Sequence, residues 1–221
     1  MNERYIRNLG ALTAAEQTAL RGKRVLVAGC GGLGGYLIEL LARLGIGELR
    51  AADGDVFERS NLNRQLLSAP ASLGRNKALA AKERVECIAP ETGITAFPDY
   101  VTAENAPGLI RGCDAVLDGL DSASARIMLK AACDRERVPF IYGAVGGWTA
   151  QAALLLPGIP LPETLCPAEP PEDKSVPAPV PALCAAVQAS LCLRLLLGRP
   201  VEPGRVYCFD LDDLSAVSFL L

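Results

Sequence analysis

Short apolar runs alternate with longer helix-like segments over the first two thirds of the chain. The runs predict strands at 24–28, 48–52, 94–97, 115–117 and 138–142, and the segments between them predict helices at 36–44, 77–88 and 124–136. This alternation is typical of βαβ units, and short runs that end at Gly or Asp fit strands buried on both faces. We therefore predict an α/β fold with a Rossmann-like, mostly parallel central sheet and helices on both faces.

The pattern changes after Leu156. Nine of the 25 residues in 157–181 are proline, which lacks an amide donor, so we predict an extended crossover loop there and neither strand nor helix. Residues 182–197 predict a buried helix, too short and too polar to span a bilayer. The tail predicts two short strands, 206–210 and 216–220, as an antiparallel extension of the sheet. We interpret the chain, 1–221, as a single domain.

Composition narrows the function classes. Half of the 221 residues are apolar, which is enough for a sizeable core without disulfides or a structural metal. The 22 basic and 25 acidic residues give a net charge of −3, which argues against binding to nucleic acid through a basic surface. The chain contains no histidine, which excludes histidine acid–base chemistry, a Ser-His-Asp triad and histidine metal ligands.

The cysteine pattern indicates a reducing compartment. The chain has eight cysteines and no C-x-x-C pair, so we expect reduced thiols that fill the core of a cytoplasmic protein. We expect no structural zinc site, because four ligands of suitable spacing are lacking. Residues 1–9 carry charges and no apolar segment of the kind found in secretory signals.

A glycine-rich turn is the first candidate for chemistry. Residues Gly29 to Gly34 match G-x-G-x-x-G, follow a predicted strand and open a predicted helix. Such a turn lets the backbone approach a phosphate, and the helix N-terminus supplies amide donors. Asp53 lies at the end of the second predicted strand, where an acid can hold ribose hydroxyls. The turn predicts a nucleotide site; the alternative is a tight turn without a ligand.

Charged residues beyond the turn favour a triphosphate. Arg64 and Lys77 can neutralise the phosphates of a triphosphate as pyrophosphate leaves. An NAD dehydrogenase needs no Arg and Lys at these positions. Asp121 follows a predicted strand and so falls at the carboxyl edge of the sheet, where it can hold Mg²⁺ against the phosphates. Singly, each could be an ordinary surface charge. Together they predict ATP and Mg²⁺ as cofactors.

These residues carry a family resemblance. The chain resembles the ThiF/MoeB/HesA group, the bacterial relatives of ubiquitin-activating enzymes, from about Arg4 to Leu156 and again over Gln188 to Leu197. The matching features are the stretch Arg4-Tyr5-Ile6-Arg7-Asn8, the Gly29–Gly34 turn, the pair Asp53 and Asp55, the segment Ser60 to Gln65, Gly74 with Lys77, and Asp121 followed by Arg126.

The resemblance implies an activity and a set of site residues. It implies ATP-dependent adenylation of the C-terminal glycine of a small ubiquitin-like sulfur carrier such as ThiS or MoaD, ending in Gly-Gly, with release of pyrophosphate. Arg7 would reach the γ-phosphate in a neighbouring subunit, which makes the active form a homodimer, and Asp121 would bind Mg²⁺. The nucleotide would contact Gly29, Gly31, Gly32, Leu33, Gly34, Asp53, Asp55, Asn61, Arg64 and Lys77.

Departures from the family pattern concern cysteine. Many members carry two zinc-binding C-x-x-C pairs, and the family's sulfur-transfer or thioester cysteine usually lies in the crossover loop. Here residues 172–175 contain no cysteine, although Cys166 and Cys184 flank them. We expect Cys184 to be a buried structural residue and Cys166 to be an exposed free thiol in the loop. Ser122 also replaces the asparagine that usually follows the aspartate.

Other functions stay open. The protein could adenylate a small molecule or a tRNA base, although the acidic balance disfavours tRNA. It could also be a non-catalytic nucleotide-binding scaffold that lost activity together with zinc and cysteine, which intact Arg64, Lys77 and Asp121 argue against. An NAD-dependent oxidoreductase is the least favoured alternative.

Overall fold

One eight-stranded mixed sheet runs through the protein. The structure is a computed structural model and describes residues 3–166 and 175–221. The strand order is β3-β2-β1-β4-β5-β6-β7-β8; the first five in this order are parallel, and each of the last three pairs antiparallel with the strand before it. The strands are β1 Arg24–Ala28, β2 Glu48–Ala52, β3 Gly93–Phe97, β4 Ala115–Asp118, β5 Phe140–Gly146, β6 Thr149–Leu155, β7 Arg205–Asp210 and β8 Ser215–Leu220.

Helices cover both faces of this sheet, as predicted. Alternate residues of β1 point to opposite faces, so Val25 and Val27 join one apolar core while Leu26 and Ala28 join the other. Helices α2, α3 and α6 pack into the first core, and α4 and α5 pack into the second. The helices are α1 Ala14–Ala19, α2 Gly34–Leu44, α3 Lys77–Ile88, α4 Ala106–Ile110, α5 Ala123–Glu136 and α6 Pro179–Leu196.

The proline-rich loop ends earlier than predicted. Helix α6 starts at Pro179, so the prediction that prolines exclude a helix through residue 181 is wrong for its last three residues. Pro179 and Pro181 lie in the first turn of α6, where a backbone N–H has no acceptor within the helix and its loss costs little. Residues 167–174 of the predicted loop lie outside the described residues.

Strand β6 and the short helices α1 and α4 were absent from the predictions. The β6 sequence, TAQAALL, contains three alanines and a glutamine, which are poor strand formers, and its apolar end continues into the proline-rich segment. Tertiary pairing decides its structure, because β6 pairs with β5 along its whole length and with β7 from Thr149 to Ala153. The antiparallel extension therefore contains three strands and not two.

Helix α6 begins at Pro179 and has 18 residues, so the prediction that it is too short and too polar to span a bilayer is wrong. By length and composition, it is the helix among the described residues that could cross a membrane. It packs against α2, β5 and β6, and half of its 18 residues are buried. Gln188, near its middle, is fully buried and donates from Nε2 to the backbone oxygens of Asp118 and Ile141. These contacts are those of a core helix, as the sequence predicted.

Three glycines let the loops after β1 and β4 touch the start of α2. Gly29, with φ of +85°, donates its amide to Ala52 O at 2.8 Å. A Cβ atom on Gly34 would lie 1.7 Å from Gly29 O, and a Cβ on Gly119 would lie 2.7 Å from the same oxygen. The backbones are therefore too close for any side chain at Gly34.

Replacing Gly34 should strongly destabilise the fold. We expect Gly34→Ala to lower the free energy of unfolding by about 3 kcal/mol or more, because backbone must move to admit the methyl group. Gly108→Ala in α4 is the control, since a Cβ there meets nothing within 4 Å; it should stabilise by ~0.5–1 kcal/mol through helix propensity. Urea unfolding of both variants measures these free energies. Equal stabilities of the two variants would contradict the close backbone contact at Gly34.

Candidate functional site

The predicted nucleotide-binding residues meet at the carboxyl edge of the parallel strands. The glycine-rich turn follows β1, Asp53 follows β2, and the loop 119–122 follows β4. The sheet order changes direction between β1 and β4, because β2 lies on one side of β1 and β4 on the other. Ligands of doubly wound sheets bind in the crevice at such a switch point.

Two glycines of the turn are not explained by packing. A Cβ on Gly31 would lie 3.4 Å from the Gln65 amide nitrogen, and one on Gly32 would lie 3.8 Å from Arg64 Nε. Both distances leave room for alanine within the folded chain. The N-terminus of α2 beside them has no side-chain cap, so its amides are available to an anion. The turn thus forms a cradle that suits a phosphate group.

Asp53 holds the glycine-rich turn against the end of β2. Its Oδ2 accepts from the Cys30 amide at 2.7 Å and its Oδ1 accepts from the Asp55 amide at 2.8 Å. Burial raises the pKa of Asp53, while the two amide bonds act in the opposite direction. Each oxygen keeps a second lone pair, so ribose hydroxyls can still donate to this carboxylate.

Lys77 is buried and already paired with Asp55. Its Nζ lies 3.1 Å from Asp55 Oδ2, and Tyr100 donates its hydroxyl to Asp55 Oδ1. The Tyr100 hydrogen bond, with that of Lys77, lowers the pKa of Asp55. Asn76 caps α3 and ties its start to the residue after β2 by donating to Asp53 O at 2.9 Å. The ammonium has three donors, so it can contact a phosphate while it keeps Asp55.

Arg64 is the cation that faces the cradle without a carboxylate partner among the described residues. Its Nη1 donates to Ser60 O at 3.0 Å and to Asn63 Oδ1 at 2.9 Å. A cavity of about 310 Å³ lies beside it, lined by Asn63, Arg64, Gly147, Trp148, Ser175, Val176 and Pro177. Its charge is therefore available to an anionic ligand.

Asn61 and Gln65 belong to the same segment and are buried. Asn61 Oδ1 accepts from the Glu58 amide at 3.0 Å and so closes the short 3-10 helix Arg59–Asn61. Gln65 faces Gly31, and its buried Oε1 has no hydrogen-bond partner in the structure. From the sequence, Gln65 was noted only as the last residue of the matching segment Ser60 to Gln65. A buried amide oxygen without a partner beside the cradle fits a site that is completed by a ligand.

Asp121 is exposed in the loop after β4. It makes no hydrogen bond or ion pair among the described residues, and its neighbours fix its place: Gly119 contacts Gly29, and Ser122 caps α5. The loop is held further by a buried ion pair, Asp118 with Arg126, which sequence reasoning missed. An exposed carboxylate at this edge is the oxygen ligand that Mg²⁺ prefers.

Arg7 is remote from the glycine-rich turn of its own chain. It is exposed on the 3-10 helix Glu3–Asn8, which is anchored by buried Tyr5 against Gly45 at the far end of α2. Tyr5 also donates to Glu91, and burial raises its pKa to about 12. Helix α2 has eleven residues and so extends about 16 Å from the turn to Gly45. The structure therefore does not bring Arg7 to this site.

The cysteines are free thiols, and most are buried. Cys184 is buried as predicted, and burial raises its pKa to about 12. The expectation that Cys166 is exposed is wrong: it is 1% exposed, because its thiol packs against Ala123 O and the Arg126 guanidinium. Residues 172–174 lie outside the described residues. In the described ranges, no three His, Cys, Asp or Glu side chains cluster as metal ligands.

Comparison with known proteins identifies the family. The profile of the ThiF family matches residues 4–218. The chain belongs to the ThiF family. This confirms the predicted resemblance, and with it an enzyme of the ThiF adenylyltransferase type.

This ThiF-family chain is similar to two curated relatives and to one solved structure described here. The SAMP-activating enzyme E1 of Haloferax volcanii is 34% identical over 209 residues, which are 90% of this chain and 77% of the relative. The sulfur carrier protein ThiS adenylyltransferase of Bacillus subtilis is 32% identical over 218 residues, which are 92% of this chain and 63% of the relative. A crystal structure of E. coli MccB with ATP shares the fold, with a TM-score of 0.87 and 23% identity. The match covers 100% of this chain and 71% of the MccB chain.

Substitution of Gly32 should separate nucleotide binding from folding in this ThiF-family protein. A Cβ at Gly32 meets only ordinary contacts, so we expect Gly32→Ala to unfold like the wild type. The methyl group would occupy the cradle, and ATP binding should weaken at least tenfold, about 1.4 kcal/mol. Calorimetric titration with ATP measures this, with Gly22→Ala, which is also free of contacts, as control. Unchanged affinity would contradict the cradle.

Proposed function

We propose that this protein uses ATP and Mg²⁺ to adenylate the C-terminal glycine of a small ubiquitin-like carrier protein and releases pyrophosphate. One observation carries the proposal: the cradle at Gly31 and Gly32 lies between the uncapped N-terminus of α2 and the cation Arg64, in a position that needs no glycine for packing. A relative named as a ThiS adenylyltransferase and another named as a SAMP-activating enzyme support the substrate class.

The proposed reaction needs positioning and charge neutralisation. A carboxylate oxygen of the carrier attacks the α-phosphorus of ATP in line, its new P–O bond forms, and the bond to pyrophosphate breaks. The attacking group is already an anion, so neither a side-chain nucleophile nor a general base is required. This agrees with a chain that contains no histidine. The developing charge on pyrophosphate needs cations at fixed positions.

The roles of the site residues follow from their places. Arg64 and Lys77 neutralise the phosphates, and the buried Lys77 keeps its partner Asp55. Asp53 accepts from the ribose hydroxyls. Asn61 positions Arg64, whose amide donates to Asn61 O at 3.1 Å. The remaining contacts are backbone, from Gly29, Gly31, Gly32, Leu33 and Gly34.

Asp121 is the residue that would hold Mg²⁺, since it is an exposed carboxylate beside the cradle. The ion would neutralise the phosphates and help pyrophosphate to leave. We also propose that residues 1–221 form one adenylation domain, because all eight strands belong to one sheet.

We propose that the active form is a homodimer. Arg7 lies at the opposite end of α2 from the cradle, on a segment that Tyr5 anchors, so it cannot serve its own site without unfolding that segment. An exposed arginine in a folded segment is free to reach a neighbouring subunit. In that case each site contains Arg64, Lys77 and Asp121 from one chain and Arg7 from the other.

ATP–pyrophosphate exchange in the presence of a Gly-Gly-tailed carrier protein tests the function. The wild type should exchange, and Arg64→Ala should lose two to three orders of magnitude, as removal of one preorganised donor does elsewhere. Arg59→Ala is a matched control, as an exposed arginine in the same segment. If the wild type shows no ATP–pyrophosphate exchange with any of the carriers tested, this proposal fails. Adenylation of a small molecule or a scaffold role would then replace it.

Mixing two inactive variants tests the shared site in the same assay. Arg7→Ala and Asp121→Ala should each be nearly inactive alone. A mixed dimer contains one site with both defects and one site with neither, so mixing should restore part of the activity. Full activity of Arg7→Ala alone would show that the subunits do not share their sites.

A further inference from the structure

A buried arginine connects the loop that carries Asp121 to three other parts of the protein. Arg126, in α5, places its Nε 2.5 Å from Asp118 Oδ2 at the end of β4. Its Nη2 donates to Leu120 O at 2.6 Å and to Gly143 O in β5 at 3.2 Å. Its Nη1 lies 3.9 Å from the sulfur of Cys166, a residue of the predicted crossover loop 157–181.

The two peptide groups of Leu120 are the main fixed points of this loop. The Leu120 amide donates to Asp118 Oδ1 at 3.0 Å, and its carbonyl accepts from Arg126. Asp121, the next residue, has no hydrogen bond or ion pair of its own among the described residues. Its position is therefore set through the backbone, and Arg126 holds the carbonyl immediately before it.

A guanidinium suits this task better than an ammonium. Its planar set of five donors can serve Asp118, Leu120 and Gly143 at the same time and in fixed directions. The surroundings keep it rigid: it is 7% exposed, and its guanidinium lies 5.4 Å from the centre of the Tyr142 ring. The Tyr142 hydroxyl in turn donates to Leu165 O at 2.7 Å, next to Cys166.

We propose that Arg126 is a positioning residue for the metal-binding carboxylate Asp121, acting through the Leu120 carbonyl and not through contact with the nucleotide. This inference rests on the proposed role of Asp121. Partners one step removed from a metal ligand fix its orientation, and their loss typically weakens metal affinity 10–100-fold. The network also explains why a full ion pair is buried directly beneath an exposed loop.

The test compares ATP binding with and without Mg²⁺ by calorimetry, which requires no carrier protein. Arg126→Lys keeps a positive charge for Asp118 but cannot serve Leu120 and Gly143 as well. We expect its ATP affinity in Mg²⁺ to fall about tenfold, and its affinity in EDTA to stay within twofold of the wild type. Arg135→Lys, at an exposed arginine of the same helix, is the control and should change neither.

Equal losses with and without Mg²⁺, or no loss at all, would overturn the proposal. If the wild type binds ATP in a Mg²⁺-dependent way but exchanges no pyrophosphate, the proposed function fails while this comparison still stands. If Arg126→Lys does not fold, hydrogen exchange of the wild type decides. The Leu120 amide should be protected before any ligand is added, and rapid exchange that slows only with ATP and Mg²⁺ would contradict prior positioning.

Discussion

The site depends on one close approach of backbones. The loop after β4 can reach the glycine-rich turn only because Gly29, Gly34 and Gly119 have no side chains where they meet. This contact brings the start of α2 and the loop of Asp121 to the same edge of the sheet. The phosphate cradle and the proposed metal ligand are neighbours as a result, although nearly ninety residues separate them in sequence.

Buried polar groups beneath the loop after β4 hold this edge of the sheet rigid. Asp118 receives bonds from Arg126 and from the Leu120 amide, and its backbone oxygen accepts from Gln188 of α6. Removing charges from water costs free energy, and a buried pair repays it only with good geometry and further hydrogen bonds, both present here. Gln188 also explains Gly143, where a Cβ would lie 2.3 Å from its side chain. These buried polar groups therefore tie α5, α6 and two strands to one arrangement.

The sequence was most informative where local pattern decides structure. Buried strands are read as short apolar runs, so β1 and β4 were predicted. The glycine motif lies at the carboxyl edge of the parallel strands, where a ligand of this fold is expected. The pattern failed where tertiary contacts decide. Strand β6 contains weak strand formers and is held by its neighbours, and α6 begins with prolines that only a first helical turn tolerates.

Only part of the candidate site could be predicted, because residue types are visible in the sequence and their contacts are not. Residue types signal charge and flexibility, and so Arg64, Asp53 and Asp121 were identified as candidates before their places were known. Partners are a property of the folded chain: the pairing of Lys77 with Asp55, the burial of Cys166 and the orphan oxygen of Gln65 have no local signature. Arg126 was noticed only as part of a motif, because its role needs Asp118, Leu120 and Gly143 to be adjacent in space.

The central claim is that this edge of the sheet is built for a magnesium-bound triphosphate. Calorimetric titration of the wild-type protein with ATP and with NAD, each with and without Mg²⁺, tests it most directly. The account predicts that ATP binds more tightly than NAD. It also predicts that Mg²⁺ strengthens the binding of ATP but not the binding of NAD. Tighter binding of NAD, or ATP binding that is indifferent to Mg²⁺, would contradict it.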